Sequence, residues 1–334
     1  MKKALQAFPI SKLIMLFFVL LFTGKLMAQP FLKAHPHINP YQYEVVKEKS
    51  FDNGAVTSAH SLASMVGAAM MQEGGNAFDA AIATQLSLAV VFPGAGNIGG
   101  GGFMLARKVN GELIGIDYRE AAPASASRDM YLDAAGNPIV EKSLYGQLAA
   151  GVPGSVAGME EAHQKYGKLK WEDLIMPAIN LAANGFKLTA RQANELNSLK
   201  NRFTKLNPLG TALVKESKWA EADVLIQTEL ANTLSAIAKE GRKGFYEGAV
   251  ADSIVAEMQR GAGIISKQDL ISYKAVWRKP ITGKYRGYDV LTMPPPSSGG
   301  IALIQLLKSV EPFPLTKWGF NSDSTVQVMI EAER

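Results

Sequence analysis

A chain of 334 residues with 47% hydrophobic and 19% charged residues suits an ordinary α/β or α+β domain with ample core material. It has no cysteine, so disulfides and lipid attachment at a cysteine are excluded and stability must come from burial. The formal net charge of +5 falls to about +1 without Lys2, Lys3, Lys12 and Lys25, because the first 28 residues hold no acid. With no compact basic block elsewhere, a nucleic-acid footprint is excluded.

Those lysines, the apolar run Leu13 to Phe22 and a small residue at Ala28 predict a signal peptide over 1–28. The run is short for a transmembrane helix, so no stable membrane insertion is expected; an uncleaved anchor is the alternative. Residues 29–52 contain Pro30, Pro36 and Pro40 and read as an extended N-terminal linker. His35 and His37 lack a ligand-spaced carboxylate nearby, so no metal site is expected, and neither His60 nor His163 has a nucleophile context.

From residue 53 the chain reads as one globular unit. Gly54 to Ser58 predicts a strand and Ser61 to Glu73 a helix stopped by Gly74-Gly75. Asn76 with Asp79 predicts the cap of a second helix to about Val91, apolar on most faces and hence buried.

The densest glycine cluster follows, over Phe92 to Glu120. Gly94, Gly96 and Gly99 match G-x-G-x-x-G, but Gly99 to Gly102 would make a very poor first helical turn. Instead Asn110-Gly111 lies between apolar-rich runs and predicts a hairpin with positive φ at both turn residues. A nucleotide-binding oxidoreductase is thereby disfavoured. The glycines mark close approach of backbone to another strand or to a bound substrate, and residue type leaves both open. Arg119, between Asp117 and Glu120, also has two possible fates: a local ion pair, or bidentate receipt of a substrate carboxylate.

Downstream, Asp133 to Pro138 reads as a surface turn. Helices are expected over Ser155 to Tyr166, Asp173 to Ala183, Thr189 to Asn201, Thr228 to Glu240, Ala249 to Gln259 and Ser266 to Tyr273. Tyr285 to Thr292 reads as strand with a turn at Gly287. Met293 to Gly300, MPPPSSGG, reads as a polyproline-like segment whose serines cap a helix through about Ser309; no base or elbow supports a serine nucleophile there. A last helix starts at Asp323 and stops at Arg334 without a terminator, which reads as an incomplete pattern.

The runs EGGNAFDAAIA from Glu73, GNIGGGGFML from Gly96, IDYREAAPASASRDMYLD from Ile116, GVPGSVAG from Gly151 and YRGYDVLTMPPPSSGGIAL from Tyr285 resemble the large-subunit signature of the gamma-glutamyltransferases. These belong to the N-terminal nucleophile hydrolase superfamily. The resemblance implies an αββα four-layer sandwich, incomplete in this chain, with 53–334 forming the large-subunit region, truncated before the catalytic small subunit. It implies self-cleavage of a precursor and γ-glutamyl transfer from glutathione or another γ-glutamyl amide to water, an amino acid or a dipeptide. The nucleophile is the threonine that opens the small subunit, outside this sequence, so this stretch alone is expected to be inactive. Arg119 is implied to bind the substrate α-carboxylate. No cofactor is implied, and the signal peptide points to secretion into a bacterial periplasm. An acylase of the same superfamily and a noncatalytic scaffold homologue are the rivals.

Overall fold

The computed structural model describes residues 29–334 except 46 and 49, so the expected signal peptide lies outside the described residues. The expected extended linker is different in kind. It opens with helix α1 (Gln29–Ala34), which tolerates Pro30 because a first-turn N–H has no helical acceptor. Phe31 and Ile38 are buried in the main core, the Lys187 N–H donates to the Pro40 carbonyl at 2.9 Å, and the Tyr43 hydroxyl donates to the Lys187 carbonyl at 2.6 Å. Burial of these apolar side chains outweighs the extended preference that the prolines suggest.

The expected strand at Gly54 to Ser58 is also absent from every ladder among the described residues. Ser58 Oγ instead bonds the His60 carbonyl at 2.9 Å and Ser64 Oγ at 2.8 Å, turning the chain into α2 (Ser61–Gln72). Next, α3 (Ala77–Val91) carries the expected Asn76–Asp79 capping box and is buried on most of its surface. At Gly67 a Cβ would stand 2.2 Å from Thr84 Oγ1, so the α2–α3 crossing depends on that missing side chain.

Strands β1 (Phe103–Arg107) and β2 (Leu113–Asp117) form the expected hairpin, with Phe103 opposite Asp117 and Arg107 opposite Leu113. The turn type is not the expected one. Only Gly111 takes a positive φ, +86°, and the Gly111 N–H bonds the Lys108 carbonyl at 2.9 Å, so Val109, Asn110 and Gly111 form a three-residue loop.

A helical body follows: α4 (Val140–Leu144), a single 3-10 turn at Gln147–Ala149, α5 (Ser155–Tyr166), α6 (Trp171–Asn184), β3 (Phe186–Lys187), α7 (Ala190–Leu206), β4 (Val224–Leu225), α8 (Thr228–Glu240), α9 (Lys243–Tyr246), α10 (Gly248–Arg260) and α11 (Lys267–Ser272). Leu174, Ile175 and Leu181 on α6 and Leu234 and Ile237 on α8 join α2 and α3 in one core. Each such side chain contributes about 1.5–3 kcal/mol by leaving water.

The unpredicted strand β5 (Val276–Arg278) completes the sheet, in the order β1-β2-β5, all antiparallel, with Asp117 opposite Val276. A second hairpin pairs β6 (Ile281–Tyr285) with β7 (Tyr288–Thr292) across Arg286-Gly287, both at positive φ (47° and 87°). The MPPPSSGG stretch is a turn closed by the Ser297 N–H on the Pro294 carbonyl at 3.1 Å, not a polyproline-like segment. It leads into α12 (Ser298–Val310), whose start the Ser297 side chain does not cap. Then come α13 (Leu315–Trp318) and α14 (Asp323–Glu333), the latter capped by Ser322. The result is an α+β fold with its largest sheet beside the helical core.

Candidate functional site

Arg119 lies two residues beyond β2, where the chain leaves the sheet. Its neighbour Tyr118 is buried, with the hydroxyl donating to Gln85 Oε1 at 3.0 Å; burial pushes that phenol up to about 12. The glycines explain how the chain passes here. A Cβ at Gly101 would fall 2.6 Å from the Tyr118 carbonyl, one at Gly154 would fall 2.1 Å from the same oxygen, and one at Gly158 would meet the Tyr118 ring at 2.1 Å. Within the cluster Gly101 takes the first of the two readings, while Gly99 has no atom within 4 Å; Gly154 and Gly158 admit the Tyr118 backbone and ring in the same way. Gly94, Gly96 and Gly99 precede a strand and open no helix, which removes the dinucleotide-loop geometry.

The fate of Arg119 turns on Asp117. This buried carboxylate receives Arg278 Nε at 2.7 Å on Oδ2 and the Arg119 backbone N–H at 3.0 Å on Oδ1. The local ion pair that the sequence leaves open is therefore not formed: Asp117 is engaged by an arginine from β5. Among the described residues the Arg119 guanidinium has no hydrogen bond, ion pair or ring contact, and it is exposed. Its carbonyl accepts from the Tyr273 hydroxyl at 2.7 Å. Just past it opens a cleft of about 390 Å³ between Ala121–Ala124 and the end of α11 with the residues that follow it, Tyr273 and Lys274. A rigid base, an uncommitted planar cation and an adjoining cleft can receive a carboxylate bidentately.

The other singled-out residues do not join this corner. His60 caps α2 through Nδ1, which accepts from the Leu62 N–H at 3.3 Å; burial lowers its pKa to about 4, with Gln192 opposing. His163 Nε2 bonds the Leu169 carbonyl at 2.8 Å beneath Trp171. His35 pairs with Glu73 at 2.5 Å, a carboxylate that sequence spacing does not reveal. Among the described residues no group of three His, Asp or Glu side chains could hold a metal ion, and no helix is long and apolar enough to cross a membrane. Sequence reasoning missed Arg278 and Tyr273, since nothing local marks either as a neighbour of residue 119.

Comparison with known proteins gives the family. Residues 63–334 match the family model described as gamma-glutamyltranspeptidase. The chain is 46% identical over 283 residues to the glutathione hydrolase proenzyme of Escherichia coli K12, covering 84% of this chain and 49% of that protein. It spans about half the length of the curated relatives it matches. The structure resembles the gamma-glutamyltranspeptidase of Helicobacter pylori with a TM-score of 0.83 at 46% identity, over 85% of this chain and 82% of that one. Lower in identity is the acylase ACY 1 proenzyme of Pseudomonas sp. SE83, 33% over 293 residues, covering 86% of this chain and 52% of that protein. The α+β architecture is that of the N-terminal nucleophile hydrolases, as the motifs imply. The chain belongs to the gamma-glutamyltranspeptidase family.

Proposed function

We propose that the full-length protein transfers γ-glutamyl groups from glutathione or related γ-glutamyl amides to water, amino acids or dipeptides, and that Arg119 binds the substrate α-carboxylate. The observation that carries this reading is the exposed, uncommitted guanidinium of Arg119, left so because Arg278 engages Asp117. The fork holds the γ-glutamyl end, so the γ-carbonyl is presented to the nucleophile in a fixed pose. That nucleophile is the threonine opening a second chain released by self-cleavage, its own amine serving as base. It attacks the γ-carbonyl, the amine leaves with a proton, and water or an acceptor amine then takes the acyl group. The proenzyme names of relatives, each about twice the matched length, support a precursor. Exposed apolar side chains on α12 and α14, including Ile301, Leu303 and Ile330, support a further part of the protein packing there. The lysines and apolar run of residues 1–28 support export to the periplasm.

The rival acylase reading differs in the acyl group accepted. With full-length protein, γ-glutamyl anilide and glutaryl anilide differ only in the α-amino group. Faster γ-glutamyl turnover, with two chains by denaturing intact mass and threonine at one N-terminus, is the expected result. Faster glutaryl turnover would move the assignment to an acylase, and a single unprocessed, inactive chain would remove the enzyme reading.

A further inference from the structure

The backbone of Arg119 belongs to no ladder. Its N–H donates to Asp117 Oδ1 at 3.0 Å and its carbonyl accepts from the Tyr273 hydroxyl at 2.7 Å, so side chains, not main chain, satisfy both of its peptide groups. Each of these side chains is itself fixed. Asp117 Oδ2 receives Arg278 Nε at 2.7 Å. Tyr273 stacks on Tyr246 with ring centroids 6.0 Å apart and planes 6° from parallel, and its own carbonyl accepts from Arg242 Nη2 at 2.7 Å. Both Asp117 and Tyr273 are buried, whereas Arg119 is exposed. Because each peptide is planar, fixing the plane on either side of the Arg119 Cα fixes its Cα–Cβ direction and the arc its guanidinium can sweep.

We propose that Asp117 and Tyr273 are a positioning pair for Arg119, clamping its two peptide groups so that the guanidinium is held out for a carboxylate; this rests on the γ-glutamyl reading above. Both act through the Arg119 backbone. Burial, reinforced by the carboxylates of Asp117 and Glu120 and opposed by Arg242, pushes the Tyr273 phenol well above its usual range, so the hydroxyl remains a donor at working pH. A purely structural pair would change stability and leave carboxylate recognition alone. A positioning pair must act through Arg119 and lose its effect when Arg119 is gone.

The test is a double-mutant cycle in full-length protein with γ-glutamyl anilide. Tyr273→Phe removes the hydroxyl and keeps the stacked ring. It should raise KM roughly three- to tenfold, with kcat within about twofold, as expected for one lost hydrogen bond. In an Arg119→Ala background the same change should alter kcat/KM by less than about twofold. Asp117→Ala, which removes the acceptor of the Arg119 N–H, provides a second arm should Tyr273→Phe fail to fold, with the same KM rise expected. An unchanged KM, or an equal loss in both backgrounds, would overturn the positioning role. If Arg119→Ala itself leaves KM unchanged, the carboxylate reading falls and the pairing with it. If Arg119→Ala raises KM while the other two do not, only the positioning claim falls.

Discussion

Around Arg119, Gly101, Gly154 and Gly158 admit the backbone and ring of Tyr118, and Asp117 and Tyr273 satisfy the peptide groups of the arginine itself. Across residues 281–334 apolar side chains stand in solvent: Phe320 is 95% exposed, Ile330 51% and Ile301 43%. In the first region the exposed group is a cation on a buried frame. In the second the exposed groups are apolar, Ile301 and Ile330 on helices and Phe320 in the turn before α14. The difference teaches that the guanidinium is available because its surroundings are committed, with the Asp117 carboxylate taken by Arg278 of β5, and not because the chain is loose there.

Glycine substitutions should separate the two regions most strongly. A Cβ at Gly154 would lie 2.1 Å from the Tyr118 carbonyl and 2.2 Å from the Tyr273 hydroxyl, and its φ of −117° needs no glycine, so the cost is one of space. Gly154→Ala should destabilise by about 3 kcal/mol in urea unfolding. Gly299 has only Ser297 Oγ at 3.8 Å and sits in the first turn of α12, so Gly299→Ala should stabilise by roughly 0.5 kcal/mol. Comparable costs at both sites would break the comparison.

An effect of similar size should appear with pH, in neither region but at His60, which caps α2 away from Arg119. The pKa of His60 is lowered from 6.5 to about 4 by burial, so between those values the unfolded chain binds the proton and the folded chain does not. Its contribution is present above pH 6.5 and is lost as pH falls toward 4, for about 3 kcal/mol in all. His60→Asn, which keeps a capping side chain without titrating, should flatten that slope; an unchanged slope would show that other groups carry it. Smallest of all, Phe320→Ser should change the unfolding free energy of this chain by less than about 0.5 kcal/mol. A loss above 1 kcal/mol would show that the side chain is packed.

Much of this frame was legible in the sequence where the signal was local. The Asn76–Asp79 capping box, the helices at Ser155 and Thr228 and the hairpin at Asn110-Gly111 all formed. What failed depended on distant partners. The Asn-Gly pair sits in a three-residue loop because Val109 joins it, while Arg286-Gly287, with no comparable pair signal, takes the two positive φ values. Three residues of β5 gain strand geometry only from β2, about 160 positions earlier. The glycine cluster signalled close approach without saying to what, and the freedom of Arg119 is decided by Arg278. Even the N-terminal linker reading failed over 29–43, because proline content hid the burial of Phe31 and Ile38.

The most direct measurement of the central claim compares γ-glutamyl anilide with 4-aminobutyryl anilide, which lacks only the α-carboxylate, in full-length wild-type and Arg119→Ala protein. An arginine that binds this carboxylate predicts a wild-type preference in kcat/KM of at least about a hundredfold, about 3 kcal/mol for a charge-assisted bidentate contact, collapsing toward parity in the variant. A preference that survives unchanged in Arg119→Ala would contradict the account and place carboxylate recognition elsewhere.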